Sequence, residues 1–411
     1  MRGLSRRQII ASAIASLPML AGGRAFAVPA AAGNRFLLVF LRGGYDATNI
    51  VIPSTNSFYQ EARPTISLAA PNPSDPDAAL PLDADWSLHP TLKESIFPLW
   101  EARQIAFVPF AGTDDMSRSH FETQDTIELG RAQGGARNSQ SGFLGRLAHV
   151  LARGDRSTTR PIAFTHQLPL SFRGTTMVPN IALNQASSKP HLNPRQQGLI
   201  EQMYAGQVAS GIDLEAAVAQ GFEVQEQAFD TIQSEMKKSG RGAVSASGFE
   251  LTARRIGRLM RDQFNLAFVD VGGWDTHVNQ GGTQGNLARR IEALGRGLAG
   301  FADEIGPRAW SATTVVVVSE FGRTFRENGA KGTDHGHGST YWVLGGGING
   351  GRIAGPQVKL APETLNQGRD LPVLTDYRSL IGGILARQFG LSDAQIDQVF
   401  PGAVKQDLQI L

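Results

Sequence analysis

LAFVDV at 266–271, NLARRIEALGRGLAGFADEI at 286–305 and TTVVVV at 313–318 decide the fold. The outer two are short apolar runs without alternation, the pattern of strands buried on both faces. The segment between them repeats apolar residues every three to four positions, which is an amphipathic helix. Strand, helix and strand in that order make a βαβ unit with a right-handed crossover. Further runs of the first kind occur at Arg35–Leu41, Gln104–Phe110, Pro161–Thr165 and Tyr341–Leu344. Tyr377–Phe389 reads as another helix, with Thr375-Asp376 as its N-cap pair. The expected class is α/β: a mostly parallel sheet with helices on both faces.

Asn193–Gln263 departs from this rhythm. It is mostly helical by pattern, broken by the Gly/Ser-rich Lys238–Ser247, and reads as a helical insertion or cap on the sheet of a single domain over residues 28–411. Pro71–Asp85 is rich in Pro and Asp and reads as a surface loop. No internal repeat is visible.

Residues 1–27 read as a cleavable export signal. Ser5-Arg6-Arg7-Gln8-Ile9-Ile10 sets an arginine pair before the short apolar stretch Ile9–Leu20, and Ala25-Phe26-Ala27 has the small-x-small form of a cleavage site. The paired arginines point to the twin-arginine machinery, which carries folded proteins to a periplasmic or secreted destination. Cleavage near Ala27 would remove Arg2, Arg6, Arg7 and Arg24 from the 39 basic residues. The remaining 35 face 37 acidic residues, so the sequence pI of about 9.0 belongs largely to the signal. No basic tract is left to bind nucleic acid, and no later apolar run is long enough for a membrane span. With Cys 0, disulfides, thiolate metal sites and a cysteine nucleophile are excluded.

In open parallel sheets, ligands bind beyond the carboxyl ends of the strands. Four polar clusters fall there: Arg42–Asn49 with Asp46; Thr113–Asp125 with Ser117, Ser119 and His120; Gly272–His277 with Asp275 and His277; and Ser319–Arg323 with Glu320, continuing to Asp334, His335 and His337. Asp, His and His within four residues, separated by glycines, suit a divalent ion such as zinc or manganese, while carboxylates also tolerate magnesium or calcium. Of 8 histidines, four lie in these clusters. His89 and His149 read as structural, and His166 and His191 carry no assignment. Arg323 and Arg326 are candidates to clamp an anionic group.

FLRGGYDATN, SRSHFETQD, VGGWDTH, VVVVSEFGRTFRENG and GTDHGHG, in this order, resemble the bacterial family called domain of unknown function 1501. The resemblance runs from about Arg35 to Gly402. That family is thought to belong with the alkaline phosphatase and sulfatase superfamily, which places two divalent metals at the ends of a parallel sheet. By that resemblance Asp46 is a metal ligand and Ser117 or Ser119 is the nucleophile. Asp275 and His277 bind one metal, and Asp334, His335 and His337 complete the pair. Where the superfamily has Asp-His after its Val-rich strand, this chain has Glu320-Phe321, so either Glu320 replaces that carboxylate or the function has moved to Asp334-His335. Sulfatases that mature a cysteine are excluded by composition. The implied function is a hydrolase of phosphate or sulfate esters with one or two divalent ions. The competing expectations are an exported binding or assembly protein on a degenerate hydrolase fold, and a glycan-modifying enzyme with a lone metal.

Overall fold

The structure, a computed structural model, describes residues 33–132, 140–153, 159–183, 194–209, 212–222 and 248–411. The signal-like residues 1–27 and the Gly/Ser-rich Lys238–Ser247 lie outside the described residues.

Each apolar run named above is a strand. The strands of the main sheet are β1 (Arg35–Arg42), β2 (Ile105–Gly112), β3 (Pro161–Ala163), β4 (Leu266–Gly272), β5 (Thr313–Ser319), β6 (Ser339–Leu344) and the short β7 (Arg352–Ile353) and β8 (Thr375–Asp376). Their spatial order is β7-β2-β6-β5-β1-β4-β3, with β8 also pairing with β2. Only β6 runs against the others, so the sheet is mostly parallel. The helix between β4 and β5 crosses over β1, which pairs with both.

Alternation along β1 shows why both faces are covered. Leu37, Val39 and Leu41 join a core with α3 (Phe249–Asp262) and α4 (Asn286–Ile305), through Ile256, Leu259, Ile291, Leu294 and Leu298. Phe36, Leu38 and Phe40 join a second core with α2 (Phe143–Arg153), α5 (Tyr377–Phe389) and α6 (Asp393–Val399), through Leu144, Leu147, Ile381, Ile384 and Ile396. The Asp376 side chain caps α5 by accepting from the amides of Arg378 and Ser379, as its sequence position implies.

Two expectations gain detail. Within Asn193–Gln263, Phe249–Asp262 forms a cap on the sheet. Its apolar face packs on the sheet, and Arg258 pairs with Glu304 of α4 at 2.7 Å. What stands apart is the helix Pro194–Tyr204 and the hairpin of Val208–Ala209 with Ile212–Asp213. Within Pro71–Asp85, Leu80–Pro81 pairs with Ser87–Leu88 in a small antiparallel sheet. Among the described residues no helix is long and apolar enough to cross a membrane.

Candidate functional site

The parallel strands β1, β2, β4 and β5 end at one edge, and antiparallel β6 begins there. That edge therefore collects the four polar clusters. After β1 the chain turns at Gly43, where a Cβ would stand 2.7 Å from the Asp275 amide nitrogen, so the β1 and β4 ends touch only because glycine is there. After β2 the chain enters α1 (His120–Leu129), which puts His120 on the first turn. After β5, Gly322–Thr324 pairs antiparallel with Asp334–His337 through Thr324 N to Asp334 O, Gly336 N to Gly322 O and Gly322 N to His337 O, each 2.9 Å. This short ladder fixes His335 opposite the β4 end.

Three imidazoles meet there with the Asp275 carboxylate. His277 Nε2 lies 2.9 Å and His335 Nε2 3.3 Å from Asp275 Oδ1, and His120 Nε2 lies 3.6 Å from Oδ2. The Nε2 atoms of His277 and His335 are 3.1 Å apart. Each ring is held from behind by its other nitrogen. His120 Nδ1–H donates to Glu320 Oε1 at 2.8 Å, His277 Nδ1–H to Asp334 Oδ1 at 3.1 Å, and His335 Nδ1–H to the Arg118 carbonyl at 3.0 Å. Those partners only accept, so in the neutral rings every Nε2 is a bare lone pair. His120 Nε2 is buried without a hydrogen-bond partner. The Phe321 ring supports the group, 4.9 Å from both His120 and His335 between centroids.

The charges follow from these contacts. The Glu320 hydrogen bond raises the His120 pKa. Desolvation lowers that of His335, helped by the charges of His120 and Arg323. Burial pushes the Glu320 and Asp275 carboxyls up, but hydrogen bonds from His120 and Gln124 to the first, and from Arg323 to the second, leave both below their ordinary values. Asp334 is lowered chiefly by its hydrogen bond from Asn328.

The sequence candidates therefore separate into layers. Asp275, His277 and His335 stand at the centre with His120, which the sequence placed with the two serines as a catalytic candidate instead of among the metal ligands. Glu320 and Asp334 stand one layer out and orient imidazoles. Glu320 is fully buried, and its Oε1 also accepts from Gly43 N and Gln124 Nε2. Asp46 is elsewhere: its Oδ2 accepts from Arg63 at 2.6 Å and from Gln280 at 2.6 Å, and its Oδ1 from Arg63 at 3.0 Å. This fully buried ion pair leaves the Asp46 oxygens facing an arginine instead of the imidazoles. His337 is buried, and its charged neighbours are Asp370, Arg118, Asp115 and Asp114.

Arg323 is buried, and its donors face Gly43 O, Gly44 O, Trp274 O, Thr333 O and Asp275 Oδ1. It holds the site together and has no donor left for a substrate. Arg326 is exposed and pairs with Glu61. Ser117 Oγ accepts from the Ser119 amide at 3.2 Å and sits 3.4 Å from Thr123 Oγ1. The Ser119 hydroxyl makes no cap bond to α1. Neither serine joins the imidazole cluster. Arg63 and Gln280 carry no motif, and Asn328 lies in VVVVSEFGRTFRENG without a role assigned to it from the sequence.

The matching family model is the one described as protein of unknown function, DUF1501, over residues 34–400. The chain belongs to that family. No curated protein matches it.

The residues present fit a divalent ion. Four donors about 2.1 Å from a tetrahedral centre lie about 3.4 Å from one another. His335 at 3.3 Å and His120 at 3.6 Å from the two Asp275 oxygens bracket that spacing, while His277, 2.9 Å from Asp275 and 3.1 Å from His335, stands beside that group. Ligand atoms of His120, Asp275 and His335 all lie within 4.8 Å of one another. Each histidine also has the carboxylate or carbonyl partner that metal-binding imidazoles characteristically have.

Proposed function

We propose that this DUF1501 chain is a hydrolase of phosphate or sulfate esters that works with one divalent ion held by His120, Asp275 and His335, with His277 beside it and a position left open for water or substrate. One observation carries the reading. Ligand atoms of two imidazoles and a carboxylate, from His120, His335 and Asp275, gather within 4.8 Å, and each of these two rings is held from behind through its Nδ1. Arg323 reaches Asp275 and His277 Nε2, whereas His120 Nε2 is buried without a hydrogen-bond partner and faces the Asp275 carboxylate.

A divalent ion there would polarise an ester oxygen and make a water acidic enough to attack near neutral pH. The chain's own residues do the rest. Glu320, Asp334 and the Arg118 carbonyl fix which nitrogen each ring presents. Arg323 holds Asp275 below its ordinary carboxylate range and ties it to the β1 turn. The choice of one ion over two rests on Asp46, whose charge the buried Arg63 already neutralises. Water is the better nucleophile than Ser117 or Ser119, because neither hydroxyl joins the cluster. Export through the twin-arginine pathway belongs to the same reading, since that route carries proteins already folded around a metal. Arg6→Lys with Arg7→Lys should then retain the precursor in the cytoplasm.

The Asp46–Arg63 pair also favours a second reading, a binding or assembly protein on the same fold that keeps an ion for structure. Elemental analysis with a screen of aryl phosphates and sulfates separates the two. One equivalent of metal together with turnover lost in His120→Ala supports the hydrolase. One equivalent without turnover on any ester supports the second reading, and metal-free protein that stays metal-free on loading refutes both.

A further inference from the structure

A hydrolase of charged esters needs a group to receive the anionic oxygens, and the arginines close to the metal cluster are occupied. Arg323 is engaged as described, Arg63 holds Asp46, and Arg118 holds Asp370 at 2.9 Å. Arg42 donates to Asp270, Gln124 and Glu128.

Arg290 is different. It lies on the second turn of α4, is exposed, and has no hydrogen bond or ion pair among the described residues. Its guanidinium lies against Gly273: a Cβ built on that glycine would stand 2.1 Å from Arg290 Nη1 and 3.0 Å from Cζ. Gly273 also has φ +93, a backbone state that other residues rarely adopt. The glycine therefore does two things: it makes the bend after β4, and it leaves the space in which the guanidinium rests. Two residues further on is Asp275, and two extended residues separate the Cα atoms by at most about 7 Å. A planar guanidinium without a partner among the described residues thus lies within about 11 Å of the Asp275 Cα.

We propose that Arg290 is the receptor for the tetrahedral oxyanion of the substrate, a phosphoryl or sulfuryl group, with Gly273 as the platform that positions it. The assignment rests on the metal reading above. It accounts for the glycine at 273, where a side chain would displace the arginine. A guanidinium offers two parallel donors to such a group, whereas an ammonium offers a point charge.

The test is isothermal titration of the metal-loaded protein with inorganic phosphate, and separately with sulfate, in wild type, Arg290→Ala, Arg290→Lys, Gly273→Ala and Lys331→Ala. Lys331, in the turn beside His277, is the cationic comparison. The expected result is oxyanion binding in wild type and in Lys331→Ala. Binding should be weakened about ten-fold or more in Arg290→Ala, a loss of about 1.4 kcal/mol. It should be only partly restored by Arg290→Lys and weakened in Gly273→Ala although the arginine is present. Metal stoichiometry and thermal midpoint should be unchanged in Arg290→Ala.

Equal affinity in wild type and Arg290→Ala, no binding in wild type, or a loss confined to Lys331→Ala would overturn the assignment. Metal uptake is read first, so the two failures separate. If no protein takes up metal, the metal reading falls and the titration is run on the metal-free chain. There, Arg290-dependent binding still supports the anion receptor, and its absence removes it.

Discussion

Glu320→Gln is the most informative perturbation, because it removes a charge and almost nothing else. Glu320 Oε1 accepts three hydrogen bonds, from His120 Nδ1, Gln124 Nε2 and Gly43 N, each at 2.8 Å. A glutamine carbonyl in that place can accept the same three. Its amide would face Ser319 Oγ, which can turn its hydrogen fully to the Leu41 carbonyl, now 2.6 Å away, and accept from the amide. The fold should therefore survive. What changes is the support of His120, whose pKa is raised first of all by the Glu320 hydrogen bond. Loss of an outer partner of this kind characteristically weakens metal affinity about 10- to 100-fold, or about 1.4 to 2.7 kcal/mol. The measurement is competition against a chelating dye at mildly alkaline pH, where proton competition for the imidazoles is small, with circular dichroism to check the fold. Glu320→Ala should do worse in a distinguishable way. It leaves three donors without their acceptor in a fully buried place, at about 1 to 3 kcal/mol each, and should lower the thermal midpoint as well as the affinity. If Glu320→Gln binds metal as tightly as wild type, the layered reading is wrong. If it unfolds like Glu320→Ala, the charge matters for the fold and the role assigned to His120 loses its support.

Asp46→Asn should leave metal stoichiometry at one equivalent while lowering denaturant stability by about 3 to 5 kcal/mol, because the buried Arg63 loses its counter-charge; metal loss at unchanged stability would make Asp46 a ligand after all. His89 yields a pH prediction with a definite sign. Burial lowers its pKa to about 4 from an ordinary 6.5, against the Gly282 hydrogen bond, so the unfolded chain binds the proton more readily. Its contribution is complete above about pH 6.5 and is lost as the pH falls towards 4, by about 3 kcal/mol at most. Equilibrium unfolding of wild type and His89→Gln across that window checks it, and parallel stability curves would refute it.

The sheet was legible because burial on both faces leaves a plain mark: runs such as Val315–Val318 have no polar alternation, and only a strand between two helical layers tolerates that. The location of the site was legible for a related reason, since glycines beside Asp and His cannot be core and must lie where strands end. The roles were not legible, because they depend on which atom faces which. Asp334 and His335 are neighbours in sequence, yet one supports an imidazole and the other is one. Glu320 and Asp46 both follow a strand, yet the first meets a histidine and the second an arginine supplied by Arg63, in a segment with no motif at all. Asn193–Gln263 read as an insertion or a cap because its Gly/Ser-rich stretch breaks the pattern, and the apolar stripe of Phe249–Asp262 fits the sheet as a cap does. Motif spacing thus locates polar groups along the chain, and the pairing of each His Nδ1 assigns their work. A carboxylate that accepts from Nδ1 supports the ring, while one that faces Nε2 is placed where it would share an ion with it. Applied here, that distinction sets Asp275 apart from Glu320 and Asp334, three acids that the sequence presents as equivalent.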